Sequence, residues 1–90
     1  MKANIDVIMD FINGRESSNR NLRTDGNRLV NYNTCIASKC EDGTIIYNRT
    51  KYSTSTSKIQ SYLRDALKGR HYVVTIKTVP RGASYLSPFI

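Results

Sequence analysis

A run of hydroxyl side chains stands directly before a well-marked helical pattern, and positive charges flank it. The run extends from Tyr52 to Lys58 and reads Tyr-Ser-Thr-Ser-Thr-Ser-Lys. At the start of a helix, hydroxyls, amides without helical partners and the positive end of the helix dipole lie together, and this combination binds anions such as phosphate. Ser and Thr are also favoured helix caps, and on this local pattern alone ordinary capping is the better explanation.

The formal net charge of +7 is distributed unevenly along the chain. Residues 1–42 carry six basic and six acidic residues, whereas residues 43–90 carry eight basic residues and a single acid, Asp65. A one-sided positive surface attracts polyanions, although it also keeps a small protein in solution without any partner. The candidate phosphate-binding residues have a hydroxyl group or a positive charge and lie in this basic part: Arg49, Lys51, Ser55, Ser57, Lys58, Arg64, Lys68 and Arg70.

Catalytic and metal-binding patterns are missing from the sequence. The chain has one histidine, His71, no glycine-rich phosphate loop and no spacing that pairs its acids. Cys35 and His71 could meet across neighbouring strands as nucleophile and base, but such a pair is more often structural. Cys35 and Cys40 fall short of a zinc site and are predicted to be free thiols in a reducing compartment. We therefore predict a non-enzymatic protein without a cofactor, a metal or a small-molecule substrate.

The N-terminal segment differs from a secretory signal, because Asp6 and Asp10 interrupt its apolar stretch and no small-residue cleavage site follows. No run of apolar residues approaches the length that is needed to cross a membrane. We therefore expect a cytoplasmic protein with no membrane partner.

Two helices are predicted from apolar residues that recur every three or four positions. The first covers residues 5–12, with Asn4 as its N-cap and Gly14 after its last turn. The second ends at Gly69, and Ser57 with Gln60 fits a capping box at its start, although residues 54–56 compete for the cap. The apolar face of this second helix consists of Ile59, Tyr62, Leu63, Ala66 and Leu67.

Three strands, residues 29–39, 44–50 and 71–79, are predicted from β-branched and aromatic residues. Residues 15–28 are polar and are expected to form a loop, with a brief strand near residues 21–23. Asp42-Gly43 predicts a two-residue hairpin turn, which pairs Cys40 with Ile45. The better core face of the first two strands consists of Val30, Tyr32, Ile36, Ile45 and Tyr47.

The order α-β-β-α-β predicts one small α+β domain spanning residues 1–90. Because a strand–helix–strand crossover is almost always right-handed, strand three is placed beside strand one. This gives a mainly antiparallel three-stranded sheet of order 2-1-3 with both helices on one face. Residues 81–90 form an apolar tail that packs on its own sheet, a second copy or another partner. The candidate interface residues are the large apolar ones of the tail: Tyr85, Leu86, Phe89 and Ile90.

Three stretches between about residues 20 and 61 share a further pattern. They are Asn21-Leu22-Arg23, Leu29-x-x-Tyr32-Asn33-Thr34-Cys35-Ile36-Ala37 and Thr50-Lys51-Tyr52-Ser53-x-Ser55-Thr56-Ser57-Lys58-Ile59-Gln60. This pattern resembles a family of small bacteriophage proteins of uncharacterised function. The resemblance implies a phage origin and a location in the host-cell cytoplasm, but no catalytic or binding residue. Short basic phage proteins of this size often bind nucleic acid or block a host defence complex such as a CRISPR effector.

Three functions fit the sequence. The leading hypothesis is a phage accessory protein that binds nucleic acid, or a host nucleoprotein complex, through phosphate contacts from its basic C-terminal segment. The alternative is an anti-CRISPR-like inhibitor that binds a protein of a host defence complex, as a homodimer joined through its apolar tail. The third is a virion or assembly component, for which the sequence offers no distinctive feature.

Overall fold

The computed structural model describes residues 2–68, 73–83 and 85–86. Over these residues the chain is α+β, as predicted, with two helices and one mixed six-stranded sheet instead of the predicted three-stranded one. Strands follow one another in chain order across the sheet; β1 to β5 are antiparallel, and β6 is parallel to β5. The elements are α1 (Asn4–Ile12), β1 (Ser17–Ser18), β2 (Leu22–Thr24), β3 (Arg28–Asn31), β4 (Thr34–Lys39), β5 (Ile45–Asn48), α2 (Thr54–Leu67) and β6 (Val73–Ile76).

The stretch 29–39, predicted as one strand, forms the hairpin of β3 and β4. The chain reverses at Tyr32 and Asn33, so that Asn31 pairs with Thr34. Tyr32 has φ = 54°, a left-handed conformation that residues other than glycine adopt rarely. Because neither glycine nor proline marks this turn, the local pattern favours one continuous strand, and the prediction was wrong.

The predicted sheet order 2-1-3 is also wrong. Strand β6 pairs in parallel with β5, with Ile45 opposite Val73 and Asn48 opposite Ile76. Both sides of β4 are already occupied, by β3 and by β5, so β6 cannot pair with β4 and lies instead on the outer side of β5. The crossover from β5 through α2 to β6 therefore joins adjacent strands. The first two residues of the predicted third strand, 71 and 72, lie outside the described residues.

The segment 15–28, expected to be a polar loop, contains the short strands β1 and β2. The brief strand predicted near residues 21–23 corresponds to β2, whose Leu22 is buried in the core. Asn19 organises the turn between these strands, because its Oδ1 accepts hydrogen bonds from the N–H groups of residues 21 and 22, each at 2.9 Å. Its Nδ2 donates to Asn4 Oδ1 at 2.8 Å, which ties the turn to α1. The polar residues here build structure through their side chains.

The hairpin of β4 and β5 is present, but its register differs by one residue from the prediction. Lys39, and not Cys40, lies opposite Ile45. The connection is longer than the predicted Asp-Gly turn, because Cys40 donates its N–H to the Thr44 carbonyl oxygen at 2.7 Å. Gly43 ends the three-residue loop at φ = 90°, as hairpins of this length commonly require.

The sheet has an apolar cluster on each face. Cluster 1 lies under both helices; cluster 2 includes Val79 and Leu86, so the second face is covered by described residues of the C-terminal part, 79–83 and 85–86. The predicted core face was partly wrong, because the chain reverses at Tyr32, which is 57% exposed, and this places Val30 and Ile36 on opposite faces: Val30 belongs to cluster 2 and Ile36 to cluster 1. Cluster 1 consists of Val7, Ile8, Phe11, Leu22, Leu29, Ile36, Ala37, Ile45, Tyr47, Ile59, Leu63 and Leu67, and cluster 2 of Val30, Cys35, Ile46, Val79 and Leu86.

Candidate functional site

Basic residues collect where the two parallel strands end. Arg49 and Lys51 follow the end of β5, and Lys77 follows the end of β6. The N–H groups of residues 78 and 79 donate to the Thr50 hydroxyl at 2.8 and 2.9 Å and so join the two loops. Crevices outside the carboxyl ends of parallel strands are common ligand sites, so the region beyond the ends of β5 and β6 is a candidate site.

Helix α2 begins at the same end of the sheet, shortly after the end of β5. Its N-cap is Ser53, whose hydroxyl accepts a hydrogen bond from the Thr56 N–H at 3.3 Å. The predicted cap, Ser57, therefore lies one turn inside the helix. Thr56 is buried and donates its hydroxyl to Asn31 Oδ1 at 2.6 Å, which anchors the helix start to β3. The first turn of α2 contains no acidic residue, so no carboxylate offsets the positive end of the helix dipole there.

A groove lies between α2 and the strands β5 and β6. It consists of two adjoining cavities of about 960 and 550 Å³, which share Arg49, Lys51, Ser57 and Gln60 in their walls. We call these two cavities together the basic groove. Among its described residues the positive charges are those of Arg49, Lys51, Arg64, Lys68 and Lys77, and the single negative charge is that of Asp65.

The charges of the basic groove are open to solvent. The side chain of Arg64 is 66% exposed and lies 3.7 Å from the carboxylate of Asp65, which is 70% exposed. An ion pair between two such exposed groups contributes little stability, so it leaves Arg64 able to contact another anion. With five positive groups against one negative group, the groove raises the local concentration of anions.

Buried polar groups fix the wall of the basic groove. Gln60 Nε2 donates to the carbonyl oxygens of Asn48 and Thr50 at 2.7 and 3.0 Å. The Tyr47 hydroxyl donates to the Gln60 carbonyl oxygen at 3.0 Å. Burial raises the pKa of Tyr47, against the lowering effect of nearby arginine charges, so the hydroxyl remains a proton donor at neutral pH. These bonds hold α2 against β5, and the groove is therefore preformed.

Asn48 connects this wall to the loop that carries the basic residues. Its side chain is fully buried, and its Nδ2 donates to the Cys35 carbonyl oxygen and to the Tyr52 hydroxyl at 3.1 and 3.0 Å. Its Oδ1 accepts from the Thr50 N–H at 3.0 Å. Three bonds from one side chain thus set the path of residues 49–52, including Arg49 and Lys51.

Replacing Asn48 with alanine is expected to lower the free energy of unfolding by about 2–4 kcal/mol, because buried partners lose their hydrogen bonds and a cavity remains. Urea denaturation measures the change. Asn27→Ala is the matched control, because the Asn27 side chain is exposed, and it should cost under about 0.5 kcal/mol. Equal losses in the two variants would contradict the role assigned to Asn48.

The structure brings together five of the eight candidate phosphate-binding residues. Arg49, Lys51, Ser57, Arg64 and Lys68 line the basic groove. The other three are placed differently: Ser55 and Lys58 are exposed on α2 and line neither cavity of the groove, and Arg70 lies outside the described residues.

Lys77 and Gln60 are two residues of the groove that the sequence did not identify as site residues. Lys77 reaches it only because β6 is parallel to β5, and no local pattern signals that pairing. Gln60 was assigned to a capping box with Ser57, whereas its amide bonds to the end of β5 and the loop beyond it. Its position on the buried side of an amphipathic helix was the available signal, because a buried amide needs partners.

The candidate interface residues of the tail have different surroundings. Leu86 is buried in cluster 2 of its own sheet. Tyr85 is 60% exposed, and the guanidinium of Arg28 lies 4.4 Å from the centre of its ring. Phe89 and Ile90 lie outside the described residues. The interface itself stays a prediction.

The cysteines are free thiols, with Cys35 buried and Cys40 exposed. Burial raises the pKa of the Cys35 thiol, which opposes its use as a nucleophile. Within residues 2–68, 73–83 and 85–86 there is no group of three or more His, Cys, Asp or Glu residues arranged to hold a metal ion. Neither of the helices in that same part of the chain is long and apolar enough to span a membrane. His71 lies outside the described residues.

Comparison with protein-family models, with curated proteins and with solved structures found no match to this chain. The resemblance to small phage proteins therefore stays a prediction, and the functional argument depends on the basic groove.

Proposed function

We propose that this protein binds nucleic acid, alone or within a nucleoprotein complex, by placing phosphate groups in the basic groove. The observation that carries the proposal is the convergence of five exposed basic residues on one preformed groove: Arg49, Lys51, Arg64, Lys68 and Lys77. The function is non-enzymatic binding. If the phage origin is correct, the target lies in the cytoplasm of the host cell.

The shape of the basic groove favours an extended polyanion over a single small anion. Its positive residues come from three separate places: the loop after β5, the C-terminal end of α2 and the loop after β6. Charges spread along a groove can contact several phosphates of one nucleic-acid backbone, and such contacts carry no sequence information. We therefore expect binding with weak sequence preference.

Binding to nucleic acid is expected to weaken steeply with salt. If the five basic residues each neutralise one phosphate, the logarithm of the affinity should fall against the logarithm of salt concentration with a slope of roughly −4 to −5 for a duplex, and somewhat less for a single strand. Fluorescence anisotropy of a labelled oligonucleotide between about 0.05 and 0.2 M salt measures the slope. Affinity that does not change over this range of salt concentration, or no binding at the lowest salt concentration, would contradict the proposal.

The alternative function, a protein-binding inhibitor of a host defence complex, is favoured by a different observation. Val73 and Val74 are 39% and 43% exposed on β6, which lies at the edge of the sheet. An exposed edge strand can pair with a strand of another protein or of a second copy. The same salt titration separates the two functions, because an inhibitor that recognises protein alone gives no anisotropy change with oligonucleotide.

A further inference from the structure

A further cavity of about 470 Å³ lies on the other side of the start of α2. Its described walls include two tyrosines, Tyr32 and Tyr52, and a single charged residue, Arg81. The chain itself separates it from the basic groove, because Lys51 lines the groove and the next two residues, 52 and 53, line this cavity. Its volume falls within the range of roughly 300–1,000 Å³ that is usual for small-molecule sites. We call it the tyrosine cavity.

Both tyrosines are held in place by hydrogen bonds. The Tyr52 hydroxyl donates to the Val79 carbonyl oxygen at 2.6 Å and accepts from the Asn48 side chain at 3.0 Å. Tyr32 is held through its backbone, because its N–H donates to the Asn21 carbonyl oxygen and its own carbonyl oxygen accepts from Arg23, both at 3.0 Å. The Tyr32 ring nevertheless remains 57% exposed. The backbone position of the ring is therefore fixed, while the ring itself is accessible to a ligand.

Backbone strain coincides with these cavities. Among the described residues other than glycine, positive φ angles occur at Tyr32, with 54°, and at Thr78, with 131°. Tyr32 lines the tyrosine cavity, and Thr78 lines the basic groove. A bulky or β-branched residue in such a conformation is unusual, and strain of this kind concentrates at functional sites. Both of these positive φ angles therefore lie in the wall of either the tyrosine cavity or the basic groove.

We propose that the tyrosine cavity takes an unstacked base of a single-stranded nucleic acid whose phosphates lie in the basic groove, an inference that rests on the function proposed above. Planar bases stack on tyrosine rings with little regard to sequence. Arg81 supplies a positive charge for an adjoining phosphate, and Asn33 supplies a donor and an acceptor for a base edge. A duplex keeps its bases paired and stacked, so it fills the groove without filling the cavity. The substrate class is therefore single-stranded DNA or RNA.

The test compares four ligands of about 12 nucleotides: a single strand as DNA, the same strand as RNA, the duplex of the same sequence, and an abasic single strand. The protein should bind one of the base-bearing single strands roughly tenfold more tightly than the duplex or the abasic strand. Asparagine tolerates the left-handed backbone, so Tyr32→Asn removes the ring without new strain. This variant should lose about tenfold in affinity for the single strand and keep its affinity for the abasic strand.

Two control variants separate stacking from other effects. Tyr32→Phe keeps the ring and should bind like the wild type. Tyr62→Ala removes a tyrosine that is also exposed but lines neither the groove nor the tyrosine cavity, and it should change affinity by less than about twofold. Because Tyr32→Asn removes no phosphate contact, its salt slope should equal that of the wild type. Its melting temperature should be unchanged or higher, since strain is relieved.

The outcomes distinguish the two proposals. The proposal for the tyrosine cavity is wrong if Tyr32→Asn keeps its affinity for the single strand, or if the wild type prefers the duplex. Salt-dependent binding would still support the proposal for the basic groove in either case. An equal loss for the single strand and the abasic strand also overturns it, because the ring then acts without a base. Absence of binding to every ligand overturns both proposals.

Discussion

Replacing Arg49 and Lys51 together with glutamate is expected to lower the affinity for nucleic acid by roughly two to three orders of magnitude at about 0.1 M salt. Each phosphate contact contributes on the order of tenfold under these conditions, and the new carboxylates add repulsion. These two residues line both cavities of the basic groove, so their reversal affects its whole length. Two lost contacts should also make the salt slope shallower by roughly two.

A matched control tests whether position or total charge matters. Arg15→Glu/Arg20→Glu changes the net charge by the same amount at two exposed residues that lie outside the basic groove. One of them, Arg15, lies 3.3 Å from Asp10, but its side chain is 66% exposed and Asp10 also pairs with Lys2 at 2.8 Å, so the loss of Arg15 should cost little stability. The control should bind within about tenfold of the wild type, because distant charges are screened. Equal losses in both double variants would mean that the protein attracts nucleic acid through overall charge and that the groove has no special part.

The helices could be predicted because their signal is local. The repeat of apolar residues every three or four positions identified α1 and α2, and Ile59 and Leu63 are buried as the pattern indicates. Tyr62, at the margin of the same apolar face, is 51% exposed. Periodicity gives the direction of the buried face, but the width of that face is set by the sheet beneath it, which the local pattern does not describe.

The sheet could not be predicted in the same way, because strand partners are set by competition among all strands for edges. Once Tyr32 reverses the chain, β3 occupies one side of β4, and β6 pairs with β5 instead. The two-residue strand β1 was not predicted, and β2 was predicted only as a brief strand, since both are short and the turn between them depends on side-chain bonds such as those of Asn19. Because the turn at Tyr32 was not predicted, the predicted strand order of the sheet was wrong.

The sequence predicted most of the charged residues of the candidate site, but it did not predict how they are arranged in space. Charge asymmetry along the chain identified Arg49, Lys51, Arg64 and Lys68, because residue type alone determines charge. Their convergence on one groove depends on the parallel pairing of β5 and β6 and on the crossover through α2. Strand alternation assigned Tyr32 to the core, whereas in the structure it is an exposed residue of the turn between β3 and β4. Residues at irregular backbone positions are those for which periodicity fails.

Gly26→Ala is expected to lower the free energy of unfolding by about 2–5 kcal/mol, the largest loss that the structure indicates for adding a single carbon atom. Gly26 has φ = 96°, and a Cβ atom there would lie 2.7 Å from the carbonyl oxygen of Gly14. The clash is with backbone at the end of α1, so no side chain can move aside. Relief would require α1 to shift away from the β2–β3 connection, and cluster 1 would loosen.

Comparison with Gly43→Ala separates the two components of that loss, which are the backbone strain at positive φ and the clash of the new Cβ atom. Gly43 has nearly the same angle, φ = 90°, but a Cβ atom there would meet nothing within 4 Å. It should therefore cost only the backbone strain, about 1–2 kcal/mol. In a domain of this size each kcal/mol lowers the melting temperature by roughly 4–8 °C, so differential scanning calorimetry should separate the two variants clearly. If both alanines cost the same, close packing between Gly14 and Gly26 contributes nothing; a larger loss at Gly26 means that this contact fixes α1 on the sheet.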